Sequence, residues 1–215
     1  MPIYKMANLY VDMTPHHALT SQRAAAYRSD ASIADIVLPP CDGDAYEEHA
    51  VLGRGFYGAL LEHDGFLLHA SAVELDGKAY LFSASSGTGK STHAAFWQSE
   101  LGALTINDDK PAVRLIDGVF HACGTPFSGK EDKSRNVCVP LGAIVVLRRG
   151  EKTKVEPIAT REALFRLLDQ TIRPAETAAY ERLLTLAERV IESVPMYIAY
   201  VPNDPSSARE VYQQV

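Results

Sequence analysis

The sequence predicts a mixed α/β fold whose sheet is partly antiparallel, with helices on its flanks. Three observations lead there. Short β-rich segments crowd residues 65–148, turn residues separate several of them too closely for helices to intervene, and helix-period stripes lie on either side. Strict βαβ alternation would give a parallel sheet, whereas consecutive strands joined by short turns give hairpins.

Taken in order, residues 1–42 read as a small β-rich appendage of short strands and turns, with Leu9-Tyr10-Val11 and Ile33 to Leu38 as its β-like pieces. Pro39-Pro40 punctuates the chain, and Asp42-Gly43-Asp44 supplies turn chemistry and a helix N-cap. The main domain then runs over 43–215. It opens with a helix over about 45–62, in which Tyr46, Ala50, Gly53, Tyr57 and Leu60 recur at helical spacing. Strands are expected at Leu67–Val73, Lys78–Ser83, Ala103–Asn107, Ala112–Leu115, Val119–Ala122 and Gly142–Arg148, with a helix starting near Lys90. Arg148, Arg149, Lys152 and Lys154 read as an exposed hairpin end, and Trp97 as a core residue. In the tail, Tyr180, Leu183, Leu184, Ala187, Val190, Ile191 and Val194 form an amphipathic stripe, which Pro195 ends. A strand over Met196–Val201 and a short helix over Ser206–Tyr212 complete the order.

Composition narrows the function. The 215 residues are 47% hydrophobic and 22% charged, as in an ordinary globular protein. With 21 Lys plus Arg against 27 Asp plus Glu, the net charge is −6, against a dedicated nucleic-acid binder. No apolar run approaches a membrane span and no signal peptide is expected. The three cysteines, Cys41, Cys123 and Cys138, are odd in number and lack a CxxC pair, which points away from disulfides and towards the cytoplasm.

The most informative stretch runs from Ala79 to Thr92. An apolar strand feeds a loop of small residues that ends in Gly89-Lys90-Ser91 at a helix start. This is the P-loop pattern GxxxxGK[ST], except that Ala84 stands at the first glycine and must therefore keep a negative φ. Ser85, Ser86, Gly87, Thr88 and Gly89 can turn consecutive backbone N–H groups inward as an anion nest. Lys90 would reach the phosphates of ATP, Ser91 would hold Mg²⁺, and Thr92 continues the motif. Asn107-Asp108-Asp109 follows about eighteen residues after Lys90, at a strand end, where a Mg²⁺ ligand and a general base are expected. Either of Asp108 and Asp109 can take either role. His69 closes the run Gly65-Phe-Leu-Leu-His69. The other histidines show no zinc-ligand spacing. Lys130 and Arg135, in a flexible segment, are candidates to clamp a transferred phosphoryl group.

The ordered set Leu68-His69-Ala70, Ser83 to Thr92 and Ile106-Asn-Asp-Asp109 resembles the HPr kinase/phosphorylase catalytic domain and its distant relatives, the phosphoenolpyruvate carboxykinases. Gly124-Thr-Pro-Phe-Ser-Gly-Lys130 is similar to a segment of HPr-kinase-related proteins. The resemblance implies a mixed sheet around a P-loop, a role for Lys90 on the phosphates, Ser91 on Mg²⁺, Asp108 and Asp109 as metal ligand and base, and His69 beside the transferred group. It departs from the family in three ways: a substantial N-terminal domain has no counterpart here, Thr92 replaces the usual Glu, and the Glu-Ile-Arg-Gly-type stretch of the phosphorylase reaction is missing. The chain looks closer to shorter relatives in peptide-modification gene clusters. The expected activity is ATP- and Mg²⁺-dependent phosphorylation of a serine on a protein or peptide, either a precursor peptide or an HPr-like carrier, with no nucleic-acid or membrane partner. The alternatives are a nucleotide-sensing module without catalysis and a small-molecule kinase or carboxykinase-like enzyme.

Overall fold

Two sheets organise the chain in the computed structural model, which describes residues 2–85 and 87–215. The first is built from β1 (Ile3–Met6), β2 (Leu9–Asp12), β3 (Arg28–Ser29) and β4 (Ile36–Val37), in the order β3-β1-β2-β4, with helix α1 (Ala18–Ala24) inserted between β2 and β3. This segment is therefore not strands and turns alone, and the β-like stretch at 33–38 contracts to two residues. α2 (Ala45–Leu60) follows. Its N-cap is Asp44, whose carboxylate accepts the N–H groups of Tyr46 and Glu47 at 2.9 and 3.0 Å.

The apolar face of α2 closes the small sheet onto the rest of the molecule. Met6, Val11 and Met13 pack with Leu52, Phe56 and Leu60, and the same core takes in Leu67, Ala112 and Phe127.

The second sheet holds β5 (Gly65–Leu67), β6 (Ala70–Leu75), β7 (Lys78–Ser83), β8 (Leu104–Asn107), β9 (Ala112–Ile116), β10 (Val119–Cys123), β11 (Cys138–Arg149), β12 (Lys154–Pro157) and β13 (Met196–Val201). The helices among them are α3 (Lys90–Leu101), α4 (Thr160–Asp169), α5 (Thr177–Ser193) and α6 (Ser206–Tyr212). The expected strand over 67–73 is broken at Leu68-His69, so β5 pairs with β9 while β6 pairs with β7 and β8. β11 is the central strand, parallel to β7 and β13 and antiparallel to β10. The sheet is mixed, as the hairpins in the sequence required.

Strand alternation divides its faces. Leu81, Ile106 and Ile144 pack under α4 and α5, through Leu167, Leu183, Leu186 and Val190. Tyr80, Phe82 and Val145 pack under α3 and α6, through Trp97, Ala208 and Val211. Trp97 is fully buried, as expected of a core residue.

The cysteine expectation is corrected. Cys123 and Cys138 form a disulfide, with Cα atoms 4.1 Å apart. They stand opposite each other on β10 and β11, next to the Gly124–Val137 backbone hydrogen bond, so theirs is a close, non-hydrogen-bonded position. Strand register, which cysteine spacing does not reveal, brings them together. With two of the three cysteines paired, a reducing compartment no longer follows from cysteine usage. No helix among the described residues is long and apolar enough to cross a membrane.

Candidate functional site

β6 runs antiparallel to both neighbours, so its start lies beside the ends of β7 and β8. Ala70 pairs with Ser83, and Ala72 with Asn107. Three segments distant in sequence therefore meet at one end of the sheet: His69, the loop after β7, and Asn107 to Lys110.

The loop after β7 leads into α3, whose N-cap is Gly89. Gly87 and Gly89 have φ of 75° and 113°, conformations in which a side chain is strained. Ala84 is not among the described non-glycine residues with positive φ, as the sequence required. Lys90 extends back over the loop and donates from Nζ to the Ala84 carbonyl at 3.2 Å. Burial lowers its pKa and the nearby Asp109 opposes that shift. Ser85, Gly87, Ser91 and Thr92 are exposed, and Thr88 and Gly89 half-buried. Ser86, also expected in the phosphate loop, lies outside the described residues.

Buried Asn107 builds the acidic turn. Its Oδ1 accepts the N–H groups of Asp109 at 3.0 Å and Lys110 at 2.7 Å, while its Nδ2 donates to the Thr125 carbonyl at 3.2 Å. The two carboxylates then diverge. Asp108 Oδ1 accepts the Gly129 N–H at 2.6 Å, and burial raises its pKa. The absence of a side chain at Gly129 permits this approach, since a Cβ there would come within 2.9 Å of Asp108 Oδ2. Asp109 lies 3.0 Å from His69 Nε2 through Oδ1 and 2.5 Å from Lys110 Nζ through Oδ2. Those partners, His69 first, hold its carboxyl well below the usual carboxylate range. Burial thus works against the charge on Asp108, whereas its partners favour the charge on Asp109.

The remaining candidates are not brought together with these. Arg135 binds the Thr105 carbonyl from Nε at 2.6 Å and Glu74 from Nη2 at 2.5 Å, back along β8. Lys130 is exposed in the turn above the acidic pair. Two residues that the sequence left aside do reach the site. Lys110 pairs with Asp109, and Arg149 donates to the Gly87 carbonyl at 3.0 Å. Arg149 is no loose hairpin end: β11 lies parallel to β7, so both strands finish at the same edge. Arginines following an apolar strand were the visible signal, but the pairing that aims one of them was not.

Cavities flank the loop. One of about 450 Å³ is lined by Gly87, Gly89, Thr92, Phe96, Arg149 and Asn203. Another, of about 320 Å³, is lined by Ser91, Thr92, Asn107, Asp108 and Lys133. Among the described residues no three His, Cys, Asp or Glu side chains cluster to hold a metal ion. A carboxylate and a hydroxyl on one cavity wall suit a Mg²⁺ ion that keeps water and arrives with phosphate oxygens.

Fold and site together define a mixed α/β protein with a glycine-containing strand–loop–helix turn at the same sheet end as a His69–Asp109 pair and the diverging Asp108. The sequence model of the family described as SynChlorMet cassette protein ScmC matches residues 52–199, and the chain belongs to that family. No curated protein sequence matches it. Among solved structures it is similar to the HPr(Ser) kinase/phosphatase from Coxiella burnetii, at 13% identity and a TM-score of 0.40, over 69% of this chain and 97% of that one. Likeness at this level carries no chemistry from that protein to this chain.

Proposed function

We propose that this chain is a phosphotransferase that moves the γ-phosphoryl group of ATP to a serine hydroxyl on a peptide or protein. The observation that supports it most is the convergence of Ala84 at the end of β7, Lys90 and the His69–Asp109 pair at one sheet end. The loop after β7 is the P-loop of this reading. Its N–H groups and the start of α3 receive the phosphates, with Lys90 and Arg149 on the charge that builds during transfer. Asp108 and Ser91 would hold Mg²⁺, which when bound neutralises phosphate charge. Asp109, fixed by His69, orients the acceptor hydroxyl. The serine oxygen bonds to the γ-phosphorus as the bond between that phosphorus and the β-phosphate oxygen of the departing ADP breaks, and the hydroxyl proton passes to the Asp109 carboxylate. In a loose transition state a weakly basic carboxylate can do this, because positioning carries most of the catalysis.

Transfer of labelled γ-phosphate to serine peptides tests the reading, with wild type beside Lys90→Ala. Loss of transfer in the variant is expected. Equal rates in the two proteins would sink the proposal.

A further inference from the structure

Behind the acidic turn lies a further cavity, of about 230 Å³, between α2 and the segment after β10. Its walls include Tyr57, Leu67, Phe127 and Ile172. The volume suits one large side chain. Tyr46 and Ile172 line it while 80% and 44% exposed, which leaves apolar surface open to solvent.

The charge on its walls has one sign. Arg54 and Lys110 line it, no acidic residue among the described residues does, and burial lowers the pKa of His49 to about 4, so that ring is neutral near pH 7. Arg54 is exposed and forms no ion pair among the described residues.

The cavity is also joined to the acidic turn. Lys110 lines it and places Nζ 2.5 Å from Asp109 Oδ2, and Ser128 lines it directly before Gly129, whose N–H binds Asp108. Tyr57 Oη lies 2.6 Å from the Lys110 carbonyl and 2.7 Å from Thr125 Oγ1, tying the cavity floor to the turn.

We infer that this cavity is the acceptor-recognition subsite: it takes one bulky apolar side chain, aromatic by preference, from a peptide whose adjacent carboxylate meets Arg54 and Lys110. The term acceptor rests on the phosphotransferase reading, whereas binding of an aromatic carboxylate does not. A peptide seated this way lays its chain past Lys110, beside Asp109, where a neighbouring serine hydroxyl is presented.

The first test needs no catalysis. N-acetyl-phenylalanine, its C-terminal amide and N-acetyl-alanine are titrated into the full chain and followed by NMR. The acid is expected to bind about tenfold more tightly than the alanine analogue and several-fold more tightly than the amide. Ala50→Trp, at an exposed position on the cavity rim, should weaken binding about tenfold, and Arg54→Glu should erase the preference for acid over amide. Circular dichroism verifies that both variants fold. No saturable binding, or binding indifferent to Ala50→Trp in a folded protein, overturns the subsite.

The second test compares peptides with a serine followed by Phe-Glu or by Ala-Glu. A kcat/KM about tenfold higher for the first, lost in Ala50→Trp, supports the acceptor role. Equal values in an active enzyme overturn that role. Ligand binding without transfer to any peptide overturns the phosphotransferase reading and leaves the subsite standing.

Discussion

His69 Nε2 and Asp109 Oδ1 lie 3.0 Å apart, although forty residues separate them, because the break after β5 sets His69 beside the end of β8. Two backbone bonds fix the gap: Ala70 N–H donates to the Asp109 carbonyl at 3.1 Å, and His69 N–H to the Gln170 carbonyl at 2.7 Å. The pair is held by main chain, not by side-chain packing alone.

Replacing Asp109 should therefore separate chemistry from folding. Asp109→Asn is expected to lower phosphoryl transfer about 10²- to 10⁴-fold with nucleotide affinity little changed, read from kcat/KM and from ADP titration. The folded-state pKa of Asp109 lies below its unfolded value of about 3.9. Its contribution is thus complete above that value and is lost as pH falls through the folded value. Urea denaturation should find the variant about 1–2 kcal/mol less stable at pH 7, a figure reduced for partial exposure. The gap should narrow below about pH 4. An unchanged gap at pH 3 would contradict the pairing.

Gly89 tests the loop. At φ 113° a side chain is strained, yet none of the described residues lies within 4 Å of the place a Cβ would occupy. Gly89→Ala should therefore cost about 1–2 kcal/mol through backbone conformation alone, with weaker stabilisation by ADP in thermal shift. Tight ADP binding by a fully stable variant would count against the loop as a phosphate site.

Trp97 anchors α3. Its ring lies 4.9 Å from Tyr80, 5.0 Å from Phe82 and 5.5 Å from Tyr212, and Nε1 donates to His93 Nε2 at 3.1 Å. Burial lowers the His93 pKa to about 4. Trp97→Ala should cost about 3–5 kcal/mol. Trp97→Phe keeps much of the apolar volume but leaves His93 Nε2 without its donor, a loss of about 1–3 kcal/mol. Denaturant titration followed by circular dichroism checks both, and the ranking Ala worse than Phe is the decisive result.

These elements differ in how much of them the sequence disclosed. The strand, loop and helix from Lys78 to Leu101 were legible because the residues that build them are neighbours: an apolar run, glycines and an uninterrupted helix. The α5 stripe was legible for the same reason. α1 was hidden because only Thr20 and Ala24 of its seven residues are buried, too few to set a period. α4 buries Ala163, Leu167 and Leu168 but has no capping side chain to mark its start. Within the site, Asp108 and Asp109 announced themselves as a strand-end pair. Lys110, Arg149 and the course of Arg135 depend on which strands pair, and that information is not local.

The Cys123–Cys138 bond closes a loop with a sequence separation of 15. Its removal by Cys138→Ser should lower stability by about 3 kcal/mol from loop entropy. Alkylation should modify Cys41 alone before reduction and all three cysteines after reduction and unfolding. Labelling of Cys138 in the untreated folded protein would exclude the bond.

That bond also changes what a cut in the chain means. Residues 124–137, which carry Gly129, Lys130 and Arg135, form a covalent ring sealed where β10 meets β11. A protease that opened the exposed turn at Lys130 or Lys133 would sever the backbone without releasing either half. The nicked molecule would run as one species until a thiol was added, then separate into two. Its acidic turn would keep both flanking strands in register, so clipping loosens the lid over Asp108 while the frame beneath it stays closed.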